Sequence, residues 1–550
     1  MVEGSCYNLA AMASKHSSHQ HSFSKIWFAR FHLNTWFRLS LAFFLVAHSQ
    51  TPNAEDLVWQ RSVSKHTSAR KIRLEQVRRH SARDRFQPTW KSLKQYRTPD
   101  WYRDAKFGIF VHWGVYSVPA FGSEWYPRLM YISGSPEFQH HAQTYGQQRN
   151  FGYKDFVPLF HGEKFDAQAW AKLFRESGAR YVVPVAEHHD GFAMYDSKLT
   201  DWCASKMGPH RDIIGELSSA IRREGLHFGL SSHRAEHYFF FNGGRAFDSD
   251  VQDSRYAALY GPAHTGISDP DWIGHPDPAY LDDWLARTTE VADKYHPELI
   301  YFDWWIGRAE FEPYLRDFLS FYYNQEAKGE QLPVVNFKEH AMPESAGVLD
   351  VERGQLGELR SLPWQTDTSI SNQSWGYVEN DSYKSPQTLV WQLVDVVSKN
   401  GNLLLNIGPQ SNGTIPNEAQ TVLREVGAWL RVNGEAIYST RPWRVYGEGP
   451  TKAAEGAFHD RKETTFTAQD FRFTTDRKYL FAIALAWPES GRLLIHSLGQ
   501  NSGVAIKAVS MLGSNTKIHW SQREEGLQID LPQKLASSYA YSFQITATGI

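Results

Sequence analysis

The sequence predicts an α/β protein: a (β/α)8 barrel of roughly 340 residues followed by an antiparallel β-sandwich. Three observations carry this. From Pro99 onward, short apolar runs alternate with helix-like segments, the rhythm of parallel strands joined by crossover helices. Polar and charged residues collect just after the apolar runs, at the end where barrels place their chemistry. Past Pro450 the rhythm shortens to alternating runs with turn residues such as Ser490-Gly491 between them, which suits a sandwich. A doubly wound open sheet is the competing architecture, but no glycine-rich phosphate turn supports it.

At 550 residues the chain is too long for one ordinary core, which fits two domains plus a leading segment. Aromatics make up 14%, with 20 Trp; flat rings suit the C–H faces of sugars, and an enlarged aromatic core is the plainer use. Cys6 and Cys203 are the two cysteines, so there is no disulfide framework to read.

In chain order, Arg30 and Arg38 precede the apolar run Leu39 to Ala47, which has signal-peptide length and is too short to span a bilayer. With small residues at Ala47, Ser49 and Ala54 as cleavage sites, residues 1–54 are expected to be a leader. The protein is then secreted or periplasmic with no integral membrane span; an uncleaved N-terminal anchor is the alternative. Residues 55–98 are expected to be a basic linker or leader helix. Residues 61–97 hold twelve Lys or Arg against Glu75 and Asp84, whereas 98–550 hold 42 basic and 55 acidic residues, a net of −13. The linker could also bind an acidic surface; nothing interleaved with it suggests nucleic-acid readout.

The barrel is expected over 99–445 and the sandwich over 446–550. Candidate barrel strands are Phe107–Gly114, Tyr181–Ala186, His227–His233, Leu299–Phe302, Pro333–Lys338, Val348–Gly354 and Asn402–Pro409. Asp166–Phe174 repeats at helical spacing and Gly178 stops it. In the sandwich, Phe471–Thr474, Tyr479–Ala486, Arg492–His496 and Tyr539–Ile545 alternate, with no cluster of His, Asp and Glu among them.

Asp303 is the most telling residue. Leu299-Ile300-Tyr301-Phe302 leads into it and Trp304-Trp305 follows. A carboxylate among aromatics is costly unless hydrogen-bonded or paired, so it is either a helix cap or chemistry. His112, Glu124-Trp125, His188-His189-Asp190, His233, Lys338, Glu352 and Gln365 also follow strands. Imidazoles and carboxylates would suit a divalent ion, but no H-x-H or H-E-x-x-H spacing occurs, and no metal or other cofactor is expected. The second reading is a sugar pocket, in which two carboxylates perform glycosidic chemistry.

Lys106–Pro119, Ser123-Glu124-Trp125-Tyr126, Glu187-His188-His189-Asp190-Gly191-Phe192, Ser374-Trp375-Gly376-Tyr377, Asn400–Pro409 and Asn433–Tyr438 together resemble the retaining α-L-fucosidases, glycoside hydrolase family 29. The resemblance runs in order over roughly 99–545. It implies that His112, Glu124, Trp125, His188 and His189 bind fucose hydroxyls and that Asp303 is the nucleophile. His233, Tyr301 and Lys338 complete the implied substrate-binding set. Two departures fall in it: Ser231-Ser232-His233 replaces the Tyr-Tyr-Ser often found after the third strand, and Lys338 stands where many relatives have Arg.

The expected activity is hydrolysis of terminal α-L-fucosyl residues from a fucosylated glycan by double displacement, with oligomeric state, a homo-oligomer included, left open. A catalytically inactive fucose-binding protein is the alternative. Candidates for the acid/base are Glu339, Glu344, Asp350, Glu352 and Asp367. Some fucosidases place a Glu after a Trp ahead of Thr-Ser-Ile, where this chain has Gln365, and an amide cannot recycle a proton. Other relatives place the acid one short segment earlier, after an Asp-containing strand, which Leu349–Gly354 resembles. Glu352 is the expected acid/base, with Asp350 and Asp367 as the alternatives.

Overall fold

Eight parallel strands pair in chain order and close on themselves: β1 (Phe107–Val111), β2 (Tyr181–Glu187), β3 (His227–Ser232), β4 (Leu299–Phe302), β5 (Val334–Lys338), β6 (Val348–Glu352), β7 (Trp364–Ser369) and β8 (Gly401–Ile407). Phe107 opposite Leu403 sets the closing register between β1 and β8. The computed structural model describes residues 54–81, 85–264, 275–326, 332–460, 464–532 and 539–550. The expected leader, apart from Ala54, lies outside them. Among the described residues no helix is long and apolar enough to cross a membrane.

Local chemistry fixes where strands begin. Helix Pro278–Tyr295 opens with Asp277 accepting from the Tyr280 amide and Pro278 at its first position. It ends on His296 in the left-handed region (φ 46°), and Pro297 prevents its continuation. Glu298 then anchors the neighbouring strand, accepting from His227 Nδ1 at 2.7 Å and from the Phe228 amide at 2.8 Å. Four buried residues later the chain reaches Asp303.

Strand β7 was not foreseen. Gln365, Thr366, Asp367, Thr368 and Ser369 carry no apolar signal, yet all are buried. Their polar groups are satisfied inside the barrel, which removes the cost that would otherwise keep such a sequence in a loop. Thr366 Oγ1, for instance, donates to the Val351 carbonyl at 2.7 Å.

The basic stretch takes the helical one of its two expected forms. Instead of a linker, residues 54–81 form two helices, Ala54–Ser62 and Thr67–Ser81, that bury Trp59, Leu74 and Val77. The acidic surface they bind is the protein's own barrel. Arg70 pairs with buried Asp283 at 2.7 Å, and Arg73 with Asp293 at 2.7 Å. Arg234 bridges Asp283 to Glu187, and Arg287 reaches Glu187 at 2.8 Å. Burial would raise the Asp283 carboxyl, but Arg234, Arg70 and Arg287 outweigh it and hold it below the ordinary aspartate range. Asp283→Ala should therefore strand buried guanidinium groups and lower unfolding stability by about 3–5 kcal/mol. Equilibrium denaturation checks this, and a loss within 1 kcal/mol, to order of magnitude, would show the network to be dispensable.

The C-terminal part is a five-stranded sheet in the order β13-β16-β11-β10-β9 facing a three-stranded sheet β12-β15-β14, all antiparallel. Its strands are β9 (Arg441–Glu448), β10 (Phe471–Thr475), β11 (Leu480–Ala484), β12 (Arg492–Ile495), β13 (Ala505–Met511), β14 (His519–Gln522), β15 (Leu527–Asp530) and β16 (Tyr541–Thr548). Because β9 pairs with β10, the sandwich begins at Arg441, not at 446. Phe471, Phe473, Leu493, Ile529 and Phe543 fill the space between its sheets.

Candidate active site

The carboxyl ends of the strands converge on Asp303. Its Oδ2 accepts from His233 Nδ1 at 2.9 Å and lies 3.3 Å from His189 Nε2. The protonation pattern follows from the remaining contacts. Ser231 Oγ lies 3.0 Å from His233 Nε2 and donates to it, leaving the proton on Nδ1 for Asp303. Burial chiefly lowers the His233 pKa, so this ring is neutral at pH 7. His189 behaves differently. Burial would lower it too, but Glu236, whose carboxylate is 3.1 Å from Nδ1, together with Asp303 lifts it to about 9. His189 is therefore an imidazolium between two carboxylates. Against the burial that would raise it, Asp303 is held well below the usual carboxylate range by His233 and His189.

On the opposite side sits a deeper polar layer. Lys338 Nζ lies 2.8 Å from Asp350, 3.0 Å from Asp367 and 3.3 Å from Glu352. Its three donors are thus engaged by carboxylates, and although burial opposes it, these three acids hold the ammonium charged. Tyr301 Oη donates to Asp367 at 2.7 Å, and Gln365 Nε2 donates to Asp350 at 2.7 Å. Gln365 in turn accepts from Tyr102 at 2.8 Å and Tyr181 at 2.9 Å. Tyr301 and Lys338, expected at the substrate, are tied into this layer of acids. Burial and the neighbouring Asp367 push the Asp350 carboxyl well up.

Of the three acids around Lys338, Glu352 alone keeps a partly exposed side chain. Trp304 Nε1 donates to its Oε2 at 2.5 Å. Burial drives its pKa up to about 7, with Asp303 and Asp367 adding to the rise and Lys338 and Trp304 opposing it. Asp303 and Glu352 thus have opposite ionisation tendencies in one pocket.

His112, His188, Glu124 and Trp125 line the other wall. His112 Nδ1 lies 2.7 Å from Asn406 Oδ1, and its ring is 5.2 Å from that of Trp375. Burial pushes both His112 and His188 well below the ordinary histidine range, so they are neutral, each with one donor and one acceptor. His188 Nδ1 is buried without a hydrogen-bond partner, a deficit of roughly 1–3 kcal/mol that a bound hydroxyl would remove. Glu124 Oε2 accepts from Ser374 Oγ at 2.9 Å and from the Trp375 amide at 2.8 Å, so it also fixes the loop that carries Trp375. Trp125 packs 5.5 Å from the His189 ring and 5.7 Å from Phe240.

All ten expected site residues therefore fall in one region, at the carboxyl ends of the strands. Glu236, Trp304 and Asn406 were missed. Trp304 directly follows Asp303 and was legible as its neighbour; Glu236 lies in a short turn, Arg234–Glu236, with no motif to mark it.

Among the described residues, two sets of side chains have ring nitrogens or carboxylate oxygens within 4.8 Å of one another: His112, His188 and His233, and His189, His233 and Asp303. They are poor metal sites as built. His233 uses both nitrogens within the protein, and His189 is protonated between acids. Activity should survive exhaustive chelation; loss that zinc or manganese restores would show that an ion displaces these bonds.

A family model for "Alpha-L-fucosidase" matches residues 73–435, and one for "Alpha-L-fucosidase C-terminal domain" matches residues 463–546. Human plasma α-L-fucosidase is 33% identical over 463 residues, covering 82% of this chain and 90% of that protein. Human tissue α-L-fucosidase is 33% identical over 492 residues, covering 86% and 94%. The crystal structure of Thermotoga maritima α-fucosidase with a mechanism-based inhibitor superposes with a TM-score of 0.68 at 30% identity, covering 84% of this chain and 100% of that one. The barrel and sandwich, the strand-end carboxylates and these matches place the chain in the α-L-fucosidase family of glycoside hydrolases, enzymes that hydrolyse fucosyl residues from fucosylated glycans.

Proposed function

We propose that the enzyme is a retaining exo-α-L-fucosidase with Asp303 as nucleophile and Glu352 as acid/base. The observation that supports this most is the opposed ionisation of the two acids: Asp303 is held well below the usual range, and Glu352 is pushed up to about 7. Carboxyls whose pKa values are driven apart in one pocket suit one for attack and the other for proton donation.

In the first step an Asp303 oxygen attacks the anomeric carbon while Glu352 gives its proton to the departing oxygen. The old glycosidic bond breaks and a β-fucosyl ester of Asp303 forms. Glu352, now a carboxylate, takes a proton from water, which attacks the same carbon and expels Asp303 as its carboxylate. His189 and His233 stabilise the charge on Asp303 as it returns. His112, His188, Glu124 and Trp125 face the sugar and supply hydroxyl contacts. Lys338 stays charged throughout and prevents Asp350, Asp367 and Glu352 from all holding protons.

Proton NMR of the first-formed sugar tests the stereochemistry. Hydrolysis of an aryl α-L-fucoside should release α-L-fucose before mutarotation; initial release of the β anomer would make the reaction inverting and remove the covalent step. A panel of other aryl glycosides should turn over far more slowly.

A further inference from the structure

The residues beyond Glu352 come from two domains. The excursion between β9 and β10 leaves the sandwich and runs onto the carboxyl end of β6. Its backbone is tied there: the Phe458 amide donates to the Glu352 carbonyl at 2.9 Å, and His459 and Asp460 amides donate to the Arg353 carbonyl at 2.9 and 3.0 Å. Gln355 and Gly456 exchange amide–carbonyl bonds of 3.2 and 2.8 Å. The two chains approach so closely that a Cβ on Gly354 would lie 1.8 Å from the Gly456 carbonyl oxygen. Asp460 locks the excursion in place, its carboxylate buried against Arg353 at 3.2 Å and Lys384 at 3.1 Å.

This anchoring sets the Phe458 ring beside Trp304, with centroids 6.2 Å apart and planes inclined by 13°. Both side chains are partly exposed. Trp304 is the residue whose indole N–H holds Glu352. Whatever Glu352 protonates must extend past it, so the departing group meets these two rings.

We propose that Trp304 and Phe458 form the binding surface for the leaving group, so that the C-terminal domain supplies part of the subsite beyond the scissile bond. The ligand class is a neutral pyranose that presents an apolar C–H face, which near-parallel aromatic rings receive by dispersion and C–H/π contact. No charged side chain is needed there, and Trp304 serves both functions, orienting the acid and contacting the sugar. The proposal rests on Glu352 being the acid.

The test compares two substrates in the full chain: an α-L-fucosyl-galactose disaccharide, whose leaving group needs this surface, and α-L-fucosyl fluoride, whose leaving group is one atom. The readout is the ratio of their kcat/KM values, which does not depend on the fraction of enzyme that folds. In Phe458→Ala this ratio should fall by about tenfold, and Phe458→Trp should restore it. Phe458→Leu, which keeps apolar bulk without a π face, should behave like Phe458→Ala and serves if the alanine variant yields no folded enzyme. A ratio within about twofold of the native enzyme in both variants overturns the proposal. Misassignment of Glu352 would appear separately, as equal slowing of both substrates in Glu352→Ala.

Discussion

Replacing Asp303 by Ala or Gly should lower kcat on an aryl α-L-fucoside on the order of 10⁴-fold, because the covalent route disappears while the sugar contacts remain. The size follows from the site. Asp303 is held ionised by His233 at 2.9 Å and His189 at 3.3 Å, and Glu352, near neutral, cannot take its place on the other face of the sugar. Removing the carboxylate also leaves a cavity lined by an imidazolium, which favours a small anion. Azide should therefore restore turnover of an activated substrate and give β-L-fucosyl azide, inverted relative to the substrate. Near-native activity of Asp303→Ala would make Asp303 a structural cap and move the nucleophile elsewhere.

Glu352→Ala should slow substrates with poor leaving groups about 10²–10⁴-fold and activated aryl fucosides far less in the glycosylation step, since only the former need the proton. The pH profile carries a second signature. The first step needs Glu352 protonated, and its pKa is raised to about 7, so kcat/KM should decline as pH rises through that region. Asp303 must be ionised and is held well below the usual range, so its limb falls at much lower pH. The alanine variant should lose the basic limb and keep the acidic one. Equal slowing of both substrate types with an intact profile would transfer the role to Asp350 or Asp367, though both are tied to Lys338 in the buried layer.

The residues flanking Asp303 illustrate what could be read directly. A strand entered through His296-Pro297 and closed by a carboxylate needed only local rules, and the structure gives β4 over Leu299–Phe302 as expected. Seven of the eight barrel strands were legible for the same reason: an apolar run inside a parallel barrel has no polar face to disguise it. β7 was not, because its burial depends on partners contributed by β5, β6 and the excursion from the sandwich. Thr368 bonding to Asp460 is one such partner, 92 residues away.

The basic stretch makes the same point for surfaces. Twelve cations within 61–97 left a linker, a leader helix or an acidic partner open, and only the folded barrel shows that Asp283 and Asp293 pair with them.

By itself, then, the sequence determined the barrel, the following sandwich, the strand-end position of Asp303 and the family pattern of histidines and Glu-Trp, because each is a local arrangement of neighbouring residues. The tertiary structure alone decided how the groups ionise and what they face. Glu352 is an acid near neutrality because burial and distant carboxylates outweigh Lys338. Lys338 and Tyr301 support the acids because their polar atoms meet Asp350 and Asp367. Such properties depend on distances between side chains far apart in the chain, which no residue spacing encodes.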